Sequence, residues 1–333
     1  MNARPSHPPR DLTRRDLLRI TAVGLAGLTV AACSSAATSD AMRARAWGAY
    51  IPTVLPSDGS ADSPIEQLAA LAEVHPRYLH RYAAIGEPAP IPEFDAIVTA
   101  GSTPLLTVEP WLAGQGPNQP EYALQRIAAG DFDRELRRWG AELTAWGRPV
   151  LFRFAPKMNT AAYPWSLGVN GNTARDYRGA WSRMRTVVGT EGTGNIRFVW
   201  APAVLTTETK PFAEAYPDAN EVNYVALDGY NWGDADGHRW TPAADLFGTS
   251  LAVLRELDGD HPMLITEVAC ATAPQLGLKA NWIRDFFTLI DNEPRLEAFL
   301  WYQADTQRDW RFNSTSASID AFRSSLAAMS SQK

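Results

Sequence analysis

From Trp47 onward, short apolar runs alternate with longer stretches that carry polar residues on one side, and this alternation limits the folds open to the chain. Apolar runs separated by amphipathic helical segments predict parallel βαβ units. Helical spacing of the apolar residues is clearest at 121–146 and 174–188. The predicted strands lie at 47–51, 78–84, 103–109, 149–154, 196–201, 222–230, 262–268 and 296–302.

About eight consecutive βα units predict a single-domain (β/α)8 TIM barrel, which we place at residues 46–333. A length of 333 residues by itself would suggest two domains, but barrels of this kind often exceed the average domain length. The alternative is a doubly wound open sheet. Against it, no glycine-rich phosphate loop follows the first predicted strand at 47–51.

The N-terminal segment has the pattern of an export signal. The sequence TRRDLLR at 13–19 resembles a twin-arginine signature, and the short apolar stretch after it ends in VAAC at 30–33, which resembles a lipoprotein cleavage box. We therefore expect removal of residues 1–32, a lipid on Cys33 and a polar tether at 33–45. The alternative is a simple cleaved signal. Either way, the protein is predicted to be exported to the cell envelope.

Charge and cysteine content limit the partners. The net charge of the chain is −6, and residues 1–32 contain five arginines and two aspartates, so the remainder is more acidic still. An acidic protein is a poor ligand for nucleic acid, and we expect membrane contact only through the lipid anchor. Of the two cysteines, only Cys270 remains if Cys33 is lipidated, so no internal disulfide is expected. Neither CxxC nor HExxH occurs, and we predict no metal and no cofactor.

Carboxylates and aromatic residues follow several of the predicted strands. Glu109, Asp228 and Glu267 stand at or near strand ends, and Trp232 and Trp301 accompany them. In a TIM barrel the active site lies at the C-terminal ends of the strands. A cleft that cleaves sugars needs carboxylates for the bond and flat rings for the apolar faces of the sugars. The pattern therefore indicates a poly- or oligosaccharide partner.

Several motifs occur in the order found in glycoside hydrolase family 26. They are RFAPKMN at 153–159, YPW at 163–165, NGNT at 170–173, VWAP at 199–202, LDGYNWG at 227–233 and DWR at 309–311. The chain resembles this family over most of residues 47–312. The family includes endo-β-1,4-mannanases and some β-glucanases, so the resemblance implies a barrel that acts on or binds a β-linked glycan of the mannan or glucan type.

The resemblance also implies roles for particular residues. It implies a retaining mechanism in which Glu267 is the nucleophile and Tyr230 donates a hydrogen bond to it. It further implies that Trp165, Trp232 and Trp301 are rings that stack on sugar, and that Arg153 and Asn159 brace the site. The predicted substrate-binding residues are these five together with Glu109.

The chain departs from the family at one decisive position. Where the family has His-Glu-Met-Asn, with the glutamate as acid/base, this chain has Pro156-Lys157-Met158-Asn159. A lysine has an ordinary pKa of about 10.4 and is a poor acid for a glycosidic oxygen, and its charged form cannot deprotonate water. We also expect Lys157 to form an ion pair with Glu267 and to compete with the substrate for it.

Three hypotheses follow from this substitution. In the first, another strand-end carboxylate replaces the lost acid; the candidates are Glu109, Glu208 and Asp305, and Glu109 is nearest in strand order. In the second, the protein is a catalytically inactive glycan-binding lipoprotein that keeps the aromatic cleft. In the third, the barrel is a scaffold and the cleft is vestigial. The sequence leaves all three open, together with the identity of the glycan and the oligomeric state.

Overall fold

The computed structural model describes residues 45–56, 63–192, 194–234, 237–273 and 275–331. The predicted export signal, the lipidation site Cys33 and nearly all of the tether lie outside the described residues. In the ranges above, no helix is both long enough and apolar enough to cross a membrane.

Eight parallel strands close into a barrel in chain order, with β1 hydrogen-bonded to both β2 and β8. This confirms the predicted (β/α)8 barrel, and each strand lies within two residues of its predicted bounds. The strands are β1 Ala46–Tyr50, β2 Tyr78–Ala84, β3 Thr103–Glu109, β4 Val150–Phe154, β5 Ile196–Trp200, β6 Tyr224–Asn231, β7 Met263–Cys270 and β8 Leu296–Tyr302.

The outer layer consists of helices that follow most of the strands. They are α1 Pro64–Ala72, α2 Ile91–Thr99, α3 Leu124–Ala129, α4 Asp133–Trp146, α5 Ala174–Val188, α6 Ala243–Leu257, α7 Leu278–Asp291 and α8 Ser316–Ser331. The predicted helix at 121–146 is divided, because Gly130 ends α3 in a left-handed conformation with φ of 99°. Residues 201–223, all of them described, connect β5 to β6 through two 3₁₀ turns and without an α-helix.

Local sequence explains where the well-predicted elements begin. Strand β4 is buried along its whole length, as expected for a parallel barrel strand with side chains on one face and helices on the other. Helix α5 begins at its predicted residue because Thr173 and Asp176 form a reciprocal capping box. Ser63 caps α1, and Pro64 occupies the first helical position.

The core has two parts. Inside the barrel, small and aliphatic side chains fill the lower half; they include Leu105, Leu151, Val199, Leu264 and Leu300. The larger part, rich in aromatic rings, lies mostly between the strands and the helices. The upper part of the barrel interior is polar, and the candidate site lies there.

Irregularities in β6 and β7 position that polar layer. The register between the two strands shifts so that Leu227 pairs with Ile265 while Asp228 pairs with Glu267, which leaves Thr266 as an extra residue. Such a bulge interrupts the alternation of side chains and re-aims them. In β6, a methyl group at Gly229 would lie 2.6 Å from the Phe247 ring, so glycine lets α6 pack closely behind the site.

Candidate active site

Glu267 lies near the C-terminal end of β7 and is almost completely buried. Its Oε1 accepts a hydrogen bond from Arg153. Its Oε2 accepts two, from the Lys157 ammonium at 2.8 Å and from the Tyr230 hydroxyl at 2.6 Å. Both carboxylate oxygens are therefore held, and the Tyr230 contact is the one that the family resemblance implied.

Arg153, on β4, is fully buried beneath Glu267. The guanidinium contacts both oxygens of Asp228 at 2.9 and 2.7 Å, and it also donates to Glu267. Its other N–H groups are directed to neutral side chains: Thr107 at 2.7 Å, Thr266 at 3.1 Å and His80 at 3.1 Å. All five donors of the arginine thus have partners, which holds the two buried carboxylates in fixed positions.

The chain after β4 places Lys157 in the site. Ala155 and Lys157 have φ of 45° and 55°, a left-handed conformation that costs about 1–3 kcal/mol per non-glycine residue and that clusters at functional sites. The Lys157 amide donates to the Ala201 carbonyl at 2.8 Å, which ties this turn to the end of β5. The Lys157 Nζ lies 5.6 Å from the centre of the Tyr163 ring, so an aromatic face covers part of the ammonium.

The ion pair fixes both charges. Burial by itself would raise the pKa of Glu267, but the positive charges of Lys157 and Arg153 outweigh it and hold this pKa well below the ordinary value. Burial would lower the pKa of Lys157, and the negative charge of Glu267 outweighs that effect and raises it. Glu267 is therefore a carboxylate, and Lys157 an ammonium, throughout the neutral range.

Glu109 behaves differently. It is the last residue of β3 and is 9% exposed. The ion pair of Lys157 in this site is with Glu267 and not with Glu109. Burial raises its pKa to about 7, and the positive charge of Lys157 offsets only part of this effect. At neutral pH this carboxyl group is therefore partly protonated.

The site opens into two adjoining cavities. The first, of about 410 Å³, contains Glu267 and is called the Glu267 cavity here; it is lined by Tyr50, Tyr82, Glu109, Trp111, Lys157, Ala162, Tyr163, Tyr230, Trp232, Glu267, Tyr302, Gln307 and Trp310. The second, of about 620 Å³, extends over the loops after β5 and β6 and is called the side cavity. The two share Lys157, Ala162, Tyr163, Tyr230 and Trp232, so the Lys157 end of the ion pair lies where they meet.

Two of the three tryptophans expected to stack on sugar do not face the cleft, so the expectation was wrong for Trp165 and Trp301. The Trp301 side chain is fully buried and packs edge-on against Phe322 of α8 and Trp282 of α7. It lies on the helix side of β8, because successive strand residues face opposite sides. Trp165 is also fully buried; its indole N–H donates to the Pro156 carbonyl at 2.7 Å and its ring supports Tyr163 from below.

Arg153 and Asn159 also differ from substrate-binding residues. Both are completely buried, so neither can contact a sugar, and that part of the expectation is corrected. The Asn159 amide donates to the Ala203 carbonyl at 2.9 Å and accepts from the Ala203 amide at 2.8 Å. It therefore joins the loops after β4 and β5, while Arg153 holds Glu267; both brace the site from behind.

Trp232 remains as a ring that lines both cavities. It is partly exposed and stacks on His238, with ring centres 5.0 Å apart and an interplanar angle of 15°. Trp232 alone of the three named tryptophans can therefore offer a face to a ligand.

The structure separates the three carboxylates considered as a replacement acid. Glu109 lines the Glu267 cavity. Glu208 is exposed and lines the side cavity. Asp305 is exposed, is paired with Arg311 at 3.1 Å, and lines neither of the two cavities.

Several cleft side chains were missed by sequence reasoning. Tyr82 and Tyr302 line the Glu267 cavity, and Tyr302 stacks on Tyr50 with ring centres 4.6 Å apart. Tyr302 faces inward because Phe299 and Trp301 lie on the helix-facing side of β8, and the sequence alone does not tell which of two adjacent aromatic residues faces the cavity. In the described part of the chain, no group of three His, Cys, Asp or Glu side chains could hold a metal ion.

The fold occurs in solved structures of family 26 glycoside hydrolases. The β-mannanase BoMan26A of Bacteroides ovatus superposes with a TM-score of 0.64 at 13% identity, covering 86% of this chain and 90% of that one. The mannanase man26 of Bacillus subtilis gives 0.61 at 16% identity, with coverages of 85% and 86%. GH26C of Muricauda sp. gives 0.64 at 15% identity, with 86% of each chain covered. The TM-scores establish a shared fold, and at identities this low they establish nothing beyond the fold.

One curated relative matches at the level of sequence. It is Endoglucanase H of Acetivibrio thermocellus, 28% identical over 246 residues, which are 72% of this chain and 26% of that protein. The chain thus spans about a quarter of the length of the curated relative that it matches. No protein-family profile matches the chain.

Proposed function

We propose that this protein is a retaining glycoside hydrolase of β-linked glycans, with Glu267 as its nucleophile. The observation that carries the proposal is the ionised Glu267 carboxylate, fixed by Arg153 and Tyr230 at the floor of an open aromatic cavity. A nucleophile in such a reaction must be anionic and must point at the anomeric carbon. The fold shared with family 26 mannanases supports the same reaction class.

The shape of the cleft supports cleavage within a chain. The Glu267 cavity and the side cavity meet at the Lys157 end of the ion pair, so sugars can lie on both sides of the bond to be broken. Tyr50, Tyr163, Trp232 and Tyr302 supply flat faces along this path. We propose a β-1,4-linked mannan or glucan as substrate, in line with the mannanase and endoglucanase names of the similar proteins.

A panel of β-1,4-linked manno-, gluco- and xylo-oligosaccharides tests this function. Binding is measured by calorimetry and cleavage by chromatography of the products. We expect at least one series to bind and to be shortened, with the β configuration retained in the first product seen by NMR. An absence of both binding and cleavage across the panel would reject the proposal.

A second candidate is a glycan-binding protein that no longer cleaves. The Lys157–Glu267 pair favours it, because the ammonium lies 2.8 Å from Oε2, the oxygen that also accepts from Tyr230, and a direct ion pair opposes attack by that oxygen. In the same panel, this candidate predicts binding without products. It also predicts that Lys157→Glu, which restores a carboxyl group at the family's acid position, gains cleavage that the native protein lacks.

Trp232 provides a prediction about binding. We expect Trp232→Ala to weaken binding of the best oligosaccharide about 5- to 10-fold, roughly 1 kcal/mol, because a sugar loses one stacking face. The matched control is Trp146→Ala, which removes a half-buried ring on the outer helix α4. Equal affinities for the two variants by calorimetry would mean that Trp232 does not contact the ligand.

We also propose that the protein is exported and lipid-anchored through Cys33, on the sequence pattern alone. The prediction is that Cys33→Ser moves the protein from the membrane fraction to the soluble fraction of cells that express the full chain. Metabolic labelling with a fatty-acid analogue should mark the native protein and not the variant. Label on both would place the lipid elsewhere, and label on neither would favour a simple cleaved signal.

A further inference from the structure

The Glu267 cavity contains two carboxyl groups, Glu109 and Glu267, and one ammonium, Lys157. The Lys157–Glu267 pair leaves Glu109 as the carboxyl group of this cavity that is not tied to a cation by an ion pair. Asp228 is held underneath by Arg153 and is 2% exposed, so a sugar cannot reach it from this cavity.

We propose that Glu109 is the acid/base of this protein and performs the proton transfers that the side chain at position 157 cannot. The inference rests on the proposed function, since it needs Glu267 to act as the nucleophile. In this proposal the proton donor lies at the end of β3 rather than at the end of the neighbouring strand β4. The two strand ends are adjacent, because Val108 of β3 pairs with Phe154 of β4. Adjacent strands are about 4.8 Å apart, a displacement that a glutamate side chain can span.

The backbone around Glu109 is well fixed. Its carbonyl accepts from the Ile85 amide at 2.8 Å and from the Trp111 amide at 3.0 Å, so the end of β3 is tied to β2 and to its own following loop. Trp111 packs edge-on against Tyr163 and Trp165, each with ring centres 5.6 Å apart. A proton donor must be held near one position, and these contacts fix the backbone that carries the Glu109 side chain.

The electrostatics fit the role. A general acid works best when its pKa lies near the working pH, and burial raises the pKa of Glu109 to about 7. Lys157 lowers the same pKa, and therefore stabilises the carboxylate that remains after the proton has been given away. In this arrangement the ammonium assists the acid without exchanging a proton itself.

The reaction then balances in two steps. In the first, a Glu267 oxygen forms a bond to the anomeric carbon, the glycosidic bond breaks, and its electron pair goes to the leaving oxygen, which takes the proton of Glu109. In the second, water attacks the anomeric carbon and gives its proton to the Glu109 carboxylate, while the bond to Glu267 breaks. Glu267 returns as a carboxylate and Glu109 as an acid.

Two substrates with different leaving groups test the assignment. Dinitrophenolate leaves from a dinitrophenyl β-glycoside without being protonated, whereas the sugar leaving group of a β-1,4-linked oligosaccharide needs a proton from the acid. We expect Glu109→Gln to lower kcat/KM about 10²- to 10⁴-fold on the oligosaccharide, with a change of no more than a few-fold on the dinitrophenyl glycoside. The matched control is Asp305→Asn, which removes an exposed carboxylate that lines neither cavity and should leave both rates unchanged.

The pH profile supplies a second readout that a structural role would not affect. Glu109 must be protonated and Glu267 ionised, so kcat/KM on the oligosaccharide should fall as the pH rises through about 7. This alkaline limb should be absent in Glu109→Gln. Removal of the base should also slow the attack of water in the second step, so kcat of Glu109→Ala on the activated glycoside should fall although kcat/KM is kept. Azide should restore this kcat and give the β-glycosyl azide, because azide needs no base to attack.

The outcomes separate the two claims. If native protein cleaves the dinitrophenyl glycoside but Glu109→Gln is unchanged on the oligosaccharide, the assignment of Glu109 is overturned while the proposed function stands. Equal losses on both substrates would likewise overturn it, since they indicate a structural effect. If native protein fails to cleave even the dinitrophenyl glycoside, Glu267 does not act as a nucleophile and both claims fall.

Discussion

Glu267→Gln is expected to lower kcat on the best oligosaccharide by about 10⁵- to 10⁶-fold, the range seen when a covalent nucleophile is removed. A neutral amide is a much weaker nucleophile than a carboxylate and does not form the bond to the anomeric carbon at a comparable rate. The fold should persist, since Arg153 keeps its contacts with Asp228, and Lys157 is partly exposed and can be solvated. Steady-state kinetics with purified variant, checked for unfolded protein by circular dichroism, measures the effect.

The control for this variant is Glu256→Gln, the same chemical change at an exposed position of α6. It should keep native activity. Oligosaccharide binding by Glu267→Gln should also survive, because the aromatic faces of the cavity are unchanged. A Glu267→Gln protein that still cleaves at more than a few percent of the native rate would remove Glu267 from the mechanism.

Arg153→Met should produce the largest loss of stability in the barrel interior. The change leaves the Asp228 and Glu267 carboxylates without the guanidinium that pairs with both. Breaking a buried ion pair by removing one partner costs about 3–5 kcal/mol. Urea denaturation should therefore show a lower midpoint with an unchanged slope. Arg134→Met, which removes an arginine with a 92% exposed side chain, should hardly change the midpoint.

The loss caused by Arg153→Met should depend on pH. In the native protein burial already raises the pKa of Asp228 to about 6, and without the lowering effect of Arg153 this pKa rises further above that of the unfolded chain. The pKa of Glu267 changes less, because Lys157 still lowers it. The folded variant then binds more protons than the unfolded one, so its stability increases as the pH falls from 8 to 5. A midpoint that is independent of pH, or equal to that of Arg134→Met, would contradict the role assigned to Arg153.

The sequence predicted the strands of this protein well because each is a compact apolar run between helical segments. Strand β4 and helix α5 show why: one is buried along its length and the other starts at a capping box. The pairing of Lys157 with Glu267 was also predicted, because two strand-end positions of known order in a closed barrel must face the same cavity.

Side-chain direction was harder to predict. Trp301 and Tyr302 are adjacent, and a shift of one residue decides which of them faces the cleft. The bulge at Thr266 turns consecutive residues of β7 toward the interior, and no residue type in β7 predicts a bulge at that position. The raised pKa of Glu109 depends on burial by residues far away in the chain, which one sequence does not reveal.

The central claim is that the Glu267 carboxylate attacks the anomeric carbon of a β-linked sugar, and it can be tested by trapping the covalent intermediate. Native protein is incubated with a 2-deoxy-2-fluoro β-glycoside that carries a dinitrophenyl leaving group, then digested and analysed by tandem mass spectrometry. The account predicts one added fluoroglycosyl group per chain, attached to Glu267 and absent from Glu267→Gln. A label on another residue, or no label while dinitrophenol is released, would contradict it.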